Sequence, residues 1–292
     1  MPENPTQPAL EPPDPVQVRA IVRRALEEDV GPGDITTSSV VPRTTQAIAH
    51  LIGRETGVLA GAEVAALAFA LVEPEVKTDH HLQDGSVLEP GKRVMTVRGP
   101  ARGILTAERV ALNFVQRLSG TATLTARYVA AVQGTRAAIV DTRKTTPGLR
   151  VLEKYAVRAG GGRNHRHALY DAILIKDNHI AAAGSVRTAV ARARAQAPHT
   201  MRVQVEVDTL AQVEDALAAG ADAITFDNMS PEETEAAVGL VAGRAVTEAS
   251  GQVTLETASA HAYAGVDIIS VGALTHSAPA LDLGLDFAEL GA

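Results

Sequence analysis

The 292-residue chain has no cysteine. That absence removes disulfides, thiolate nucleophiles, iron–sulfur clusters and cysteine-ligated zinc together, leaving oxygen and nitrogen donors for any metal chemistry. A long apolar run is also missing: the longest, Ala65 to Val72, falls far short of the roughly 18 residues that cross a bilayer. No basic stretch followed by an apolar core stands at the N-terminus, so a cytoplasmic protein is expected. Positive charge is in deficit, with 27 Lys and Arg against 34 Asp and Glu and a net charge of -7. General attraction to nucleic acid or an anionic membrane needs a basic surface, so neither partner is expected. A small anionic ligand in a locally basic pocket stays open.

What is present is a soluble globular composition, 46% hydrophobic and 21% charged, over a length that suits two domains. Six of the first fifteen residues are proline, which removes donors and blocks regular helix, so residues 1–15 are expected to be a disordered tail. From Val16 to about Glu28, Val18, Ile21, Val22 and Ala25 among arginines and glutamates predict an amphipathic helix, closed by Gly31-Pro32-Gly33. Short strands are expected at Gln46 to Val58, Val76 to Leu82 and Lys92 to Val97, with an alanine-rich helix from about Ala62 to Val72 between them. Apolar positions from Ile104 to Val132 predict two helices meeting around Ser119-Gly120.

After Ala137 six short apolar segments run straight into charged or small polar residues, with ends at Arg143, Lys176, Glu206, Asp227, Glu248 and Gly272. Their spacing of 21 to 33 residues suits one strand–helix unit each. In the second of these units Thr146 is placed to cap a helix, with Pro147 at its first position. The expectation is therefore an α/β protein: an incomplete, six- to seven-stranded α/β barrel preceded by an α+β sandwich domain. Boundaries fall at 16–120 for the first domain and 121–280 for the barrel, with 281–292 packing back on the N-terminal domain. In such barrels the carboxyl ends of the strands share one face, and that face holds the site.

Three kinds of residue line this face. In Arg202 to Asp208 the valines take one parity and Gln204, Glu206 and Asp208 the other, so the polar set faces the interior. An inward carboxylate is costly unless it binds something, and Asp227 repeats the theme beside Thr225. Two such carboxylates suit Mg²⁺, or else they neutralise nearby cations. Opposing them stand Arg143, Lys144, Arg163, His165, Arg166, His167 and Lys176, a dense positive cluster in an acidic chain. Arginine forks match carboxylate and phosphate, so the cluster reads as an anion pocket in preference to a solvated rim. Two histidines are too few for zinc. Ser250-Gly251 and Gly272 follow the last two strands, where phosphate sites form in such barrels, although turn glycines are ordinary there too.

Several of these stretches together resemble the quinolinate phosphoribosyltransferase family. The carrying motifs are Glu108 to Asn113 with Leu118-Ser119-Gly120, Asp141-Thr142-Arg143-Lys144-Thr145, and Gly160-Gly161-Gly162 through Asn164-His165-Arg166. They continue as Leu174 to His179, Val205-Glu206-Val207-Asp208, Glu248 to Gly251, and Val271-Gly272-Ala273-Leu274-Thr275-His276. The resemblance implies phosphoribosyl transfer from phosphoribosyl pyrophosphate to quinolinate with decarboxylation, in NAD biosynthesis. It implies a homodimer with shared active sites, Arg109 arriving from the neighbouring subunit. Carried over by motif, Thr142, Arg143, Lys144, His165, Arg166 and Lys176 would hold the pyridine dicarboxylate and phosphates, with Lys144 or Lys176 next to the decarboxylating carbon. Glu206 and Asp227 would face the ribose hydroxyls and Mg²⁺. The loops Ser250-Gly251-Gln252 and Val271-Gly272-Ala273 would hold the 5-phosphate. Ala168 and Gln252 stand where glycine is common in the family. A Schiff-base aldolase, a phosphate-ligand sensor and a transferase-like family associated with molybdenum transport are the competing readings.

Overall fold

In a computed structural model, which describes residues 10–291, the chain opens with two helices, α1 (Pro15–Val30) and α2 (Ile35–Val40). Asp14 caps the first, its carboxylate accepting the Val16 amide at 2.8 Å, and Pro15 takes a first-turn position where its missing N–H costs nothing. Of the expected tail at 1–15, Glu11 bonds through its carbonyl to Arg158 at 3.0 Å and Pro15 begins α1, while residues 1–9 lie outside the described residues. Next come β1 (Gln46–Gly53), β2 (Gly57–Val58), α3 (Ala62–Val72), β3 (Lys77–His80), β4 (Val87–Leu88) and β5 (Arg93–Pro100). A single helix, α4 (Ala101–Ala131), follows.

The two helices expected around Ser119-Gly120 are thus one. Gly120 does not interrupt it; a Cβ there would run into the Pro279 carbonyl, so the glycine serves a close backbone approach. Ser119 likewise turns to the segment before α3, accepting the Ala60 amide at 3.0 Å.

The second half alternates: β6 (Ala138–Val140), α5 (Arg150–Ala159), β7 (Ile173–Ile175), α6 (Asp177–Ala183), α7 (Val186–Gln196), β8 (Val203–Val207) and α8 (Leu210–Ala218). It continues with β9 (Ala223–Asp227), α9 (Pro231–Val241), β10 (Val246–Ser250), α10 (Leu255–Tyr263), β11 (Ile268–Ser270), α11 (Ala273–His276) and β12 (Leu283–Gly291). Ser185, Thr209, Ser230 and Thr254 each cap the helix after them by accepting the amide three residues on, which starts α7 to α10. Thr146 does not do this for α5. Its amide and hydroxyl bond instead to the buried Glu153 carboxylate at 2.9 and 2.6 Å, and Gly148 turns with φ +82°, so the helix begins at Arg150.

The chain divides into two compact units. The first comprises residues up to Leu124, Thr146–Gly161 and Ala278 onward. Its antiparallel sheet has the order β12-β1-β5-β3, the C-terminal strand pairing with β1 along its length. Alternation along β1 sends Ala47, Ala49 and Leu51 to the core formed with Phe69, Leu88, Met95, Ile104 and Leu118. Residues 146–161, which the strand–helix rhythm predicts to belong to the barrel, group with this unit because Leu152, Ala156 and Ala159 join that core. The expected boundary at 120/121 falls inside α4.

The second unit, Thr125–Thr145 with Gly162–Ser277, holds a parallel sheet of order β6-β11-β10-β9-β8-β7 among the described residues. Arg163 adds an isolated parallel bridge on the outer edge of β6. Six parallel strands with helices between them form the incomplete α/β barrel. The valines of β8 are buried and its Gln204 and Glu206 half-buried, the alternation that parity predicts. Among the described residues no helix is long and apolar enough to cross a membrane.

Candidate active site

Register aligns the strand ends. Glu206 on β8 and Glu248 on β10 both pair with Thr225 on the strand between them, and Asp227 pairs with Ser250 one step further along. Neighbours in register point to the same face of a parallel sheet, so these side chains form two successive layers. They line a cavity of about 450 Å³ within the second unit, a size that suits a small-molecule site.

The cations enter from the first two strands of the unit. Thr142, Arg143 and Lys144 follow β6, His165 and Arg166 precede β7, Lys176 ends β7, and all six line the cavity. The Thr142 hydroxyl accepts the Lys144 amide at 3.0 Å, and Thr275 donates to the Lys144 carbonyl at 2.7 Å, which fixes this turn. Asp141, fully buried, takes the His165 amide at 2.9 Å and so ties the two cationic loops together. Burial, and then the charge of Arg143, push the Arg166 guanidinium below its ordinary value. Two guanidinium groups held this near each other favour an anion between them. Arg163 and His167 are exposed and do not line the cavity.

Lys176 and Glu206 form an ion pair, Nζ to Oε2 at 2.6 Å. Asp227 is half-buried and accepts the Asn228 side-chain amide at 2.8 Å. Asp208, expected to share the inward parity, lies past the end of β8 and is exposed. Ser250, Gly251 and Gln252 all line the cavity, with Gly251 at φ +93° and Gln252 at φ +43°, a left-handed pair that explains why glycine suits both positions. The other expected phosphate loop behaves differently. Val271 is buried and its amide is spent on the Val140 carbonyl at 2.9 Å, so it has no N–H to offer, and Val271, Gly272 and Ala273 do not line the cavity. Gly272 instead packs beside Lys144, where a Cβ would sit 3.1 Å from its Cδ. Arg109 is exposed on α4 in the first unit, whereas every residue lining the cavity belongs to the second.

Sequence reasoning gave no role to Glu248, Thr225 or Asn228, which also line the cavity. Glu248 is only 3% exposed; Gln204 donates to it at 2.8 Å, and His165 Nε2 lies 3.5 Å away. Its shared parity with Ser250 would have revealed it, as parity revealed Glu206. Among the described residues no group of three or more His, Asp or Glu is placed to hold a metal. Glu206 and Asp227 are two carboxylates at one cavity, a donor set that fits Mg²⁺ arriving with water and phosphate oxygens and does not make a cage.

This geometry can bind a small molecule with several anionic groups. A model of the quinolinate phosphoribosyl transferase N-terminal domain matches residues 34–119, and one of the C-terminal domain matches residues 121–286. The chain is 44% identical over 271 residues to the probable nicotinate-nucleotide pyrophosphorylase (carboxylating) of Bacillus subtilis, covering 93% of each. It is 48% identical over 274 residues to the nicotinate-nucleotide pyrophosphorylase (carboxylating) of Mycobacterium leprae, covering 92% of this chain and 96% of that one. The crystal structure of NadC from Streptococcus pyogenes is similar at a TM-score of 0.91 and 47% identity, over 96% of this chain and 99% of that one. With both domain models matched in order and relatives aligned over nearly their full length, the chain belongs to the quinolinate phosphoribosyl transferase family.

Proposed function

We propose that the chain transfers a phosphoribosyl group from phosphoribosyl pyrophosphate to quinolinate, giving nicotinate mononucleotide, pyrophosphate and carbon dioxide. The observation that carries this reading is the convergence of Arg143, Lys144, Arg166 and Lys176 on one cavity opposite Glu206 and Asp227, in a protein of net negative charge. Such a site has cations for a dicarboxylate and phosphates and carboxylates for ribose hydroxyls.

The reaction needs no side-chain nucleophile. The pyridine nitrogen attacks the anomeric carbon while the bond to pyrophosphate breaks, the electron pair leaving with the diphosphate. Arg143, Arg166 and His165 would hold the dicarboxylate so that its nitrogen faces that carbon, which is the positioning contribution to rate. Lys144 and Lys176 would take up developing negative charge. Glu206 and Asp227 would face the ribose, where positive charge develops. The same two carboxylates would hold Mg²⁺, largely through substrate or water oxygens, and the ion when bound supplies positive charge against a leaving diphosphate. Once the ring nitrogen is quaternised, the adjacent carbon–carboxylate bond breaks, its electrons stay on the ring carbon next to the cationic nitrogen, and a proton replaces carbon dioxide.

A homodimer belongs to the proposal, with Arg109 contributed by the partner to the cavity and the Ser250-Gly251-Gln252 and Val271-Gly272-Ala273 loops holding the 5-phosphate. A cytoplasmic setting fits a chain without disulfide chemistry. The Lys176–Glu206 pair argues against a Schiff-base aldolase, because the lysine Nζ is engaged by a carboxylate at 2.6 Å and a Schiff-base lysine must be free to attack a carbonyl. Pyrophosphate release on mixing with phosphoribosyl pyrophosphate and quinolinate tests the reading against a non-catalytic sensor; release is expected, and binding without release contradicts it.

A further inference from the structure

Between the carboxylate end of the cavity and its glycine loop sits Asn228, the residue after β9. It is one of few non-glycine residues with positive φ, at +55°. Asparagine tolerates that conformation better than most side chains, so backbone conformation by itself accounts for a small polar residue here. Three contacts go further. The side-chain amide donates to Asp227 Oδ2 at 2.8 Å. The backbone amide donates to the Ser250 carbonyl at 2.9 Å, fastening the end of β9 to the end of β10. A Cβ on Gly251 would overlap the Asn228 side-chain oxygen and lie 2.8 Å from its backbone nitrogen, so the glycine loop is moulded against this residue.

Asn228 therefore touches both halves of the cavity wall. A free Asp227 carboxylate can rotate about its side-chain torsions, and a donor on one oxygen selects one orientation and leaves the other oxygen for a ligand. The Gly251 turn at φ +93° packs against the opposite side of the same amide group.

We propose that Asn228 is a positioning residue for the phosphoribosyl donor: it orients the Asp227 carboxylate and sets the Ser250–Gln252 loop at a fixed spacing from it. This rests on the reading that Asp227 faces the ribose and the loop holds the 5-phosphate. Asn228 acts through these two neighbours and carries no chemistry of its own. Its removal is felt by the donor substrate and not by the pyridine dicarboxylate, whose cations flank β6 and β7, the two edge strands of the sheet, while Asn228 follows β9 within it.

Two variants separate positioning from backbone tolerance. Asn228→Gly accepts positive φ freely and deletes the amide, while Asn228→Asp keeps the shape and replaces the donor with a second carboxylate. A role confined to backbone conformation leaves Asn228→Gly at wild-type values. The proposal predicts a KM for phosphoribosyl pyrophosphate raised about tenfold in both, with the KM for quinolinate unchanged, since one hydrogen bond to a charged group is lost. It also predicts that a crystal structure of Asn228→Gly shows Asp227 in a different or divided orientation. Wild-type donor KM together with an unmoved Asp227 overturns it. Asp227→Asn tests the underlying reading separately: unaltered donor kinetics there would remove Asp227 from the ribose, while the crystal structure of Asn228→Gly still decides whether Asn228 sets its orientation.

Discussion

Lys176 and Glu206, 30 residues apart in sequence, meet at 2.6 Å where two neighbouring strands end. One was expected among the cations for carboxylate or phosphate and the other among the carboxylates for ribose and metal. Their pairing means that neither acts alone: an anion approaching Lys176 competes with Glu206 for the ammonium.

Non-additive kinetics follow from that pair. Lys176→Met and Glu206→Gln each lower kcat/KM, and the double variant departs from the sum of the two effects by about 0.5–3 kcal/mol, the range for groups in contact. Steady-state kinetics on all four proteins supply the cycle; strict additivity would show that the two side chains act independently.

Arg143→Ala removes one of two adjacent guanidinium groups at the cavity. Loss of a charged hydrogen bond is worth about 1.5–3 kcal/mol, so kcat/KM for quinolinate is expected to fall roughly ten- to a hundredfold or more. A variant with unchanged kinetics would mean that Arg143 does not touch substrate.

Chelation separates substrate-borne metal from structural metal. With two carboxylates and no third donor grouped with them among the described residues, EDTA is expected to abolish turnover and leave the melting temperature unchanged, and Mg²⁺ to restore activity. A fall in melting temperature on chelation would point to a metal held by the protein itself.

His261 on α10 is buried, and burial holds it below its ordinary value. The unfolded chain therefore takes up this proton first on acidification, so the stability it allows is complete above about pH 6.5 and declines below. Thermal melts between about pH 7.5 and 5.5 are expected to fall less steeply for His261→Asn than for the natural protein. Parallel curves would remove His261 from the acid sensitivity.

Much of the barrel was legible because strand parity and strand ends are local signals. Val203, Val205 and Val207 against Gln204 and Glu206 state which face is wet, and the cations at 143–144, 165–166 and 176 mark the site beside β6 and β7. What escaped depends on contacts distant in sequence. Gly120 reads as a helix break until Pro279 is seen beside it. Thr146 reads as a cap until Glu153 takes its hydroxyl. Residues 146–161 follow the barrel's rhythm yet bury their apolar stripe in the first unit, because pattern gives a helix its face and not its partner. Asn228 carries no sequence signal beyond its place after Asp227; only its positive φ and its contacts single it out.

The central claim is the reaction itself, and NMR of product formation tests it most directly. The protein is incubated with Mg²⁺, phosphoribosyl pyrophosphate and either quinolinate or nicotinate. Nicotinate mononucleotide is expected from quinolinate and not from nicotinate; product from neither substrate would contradict the account.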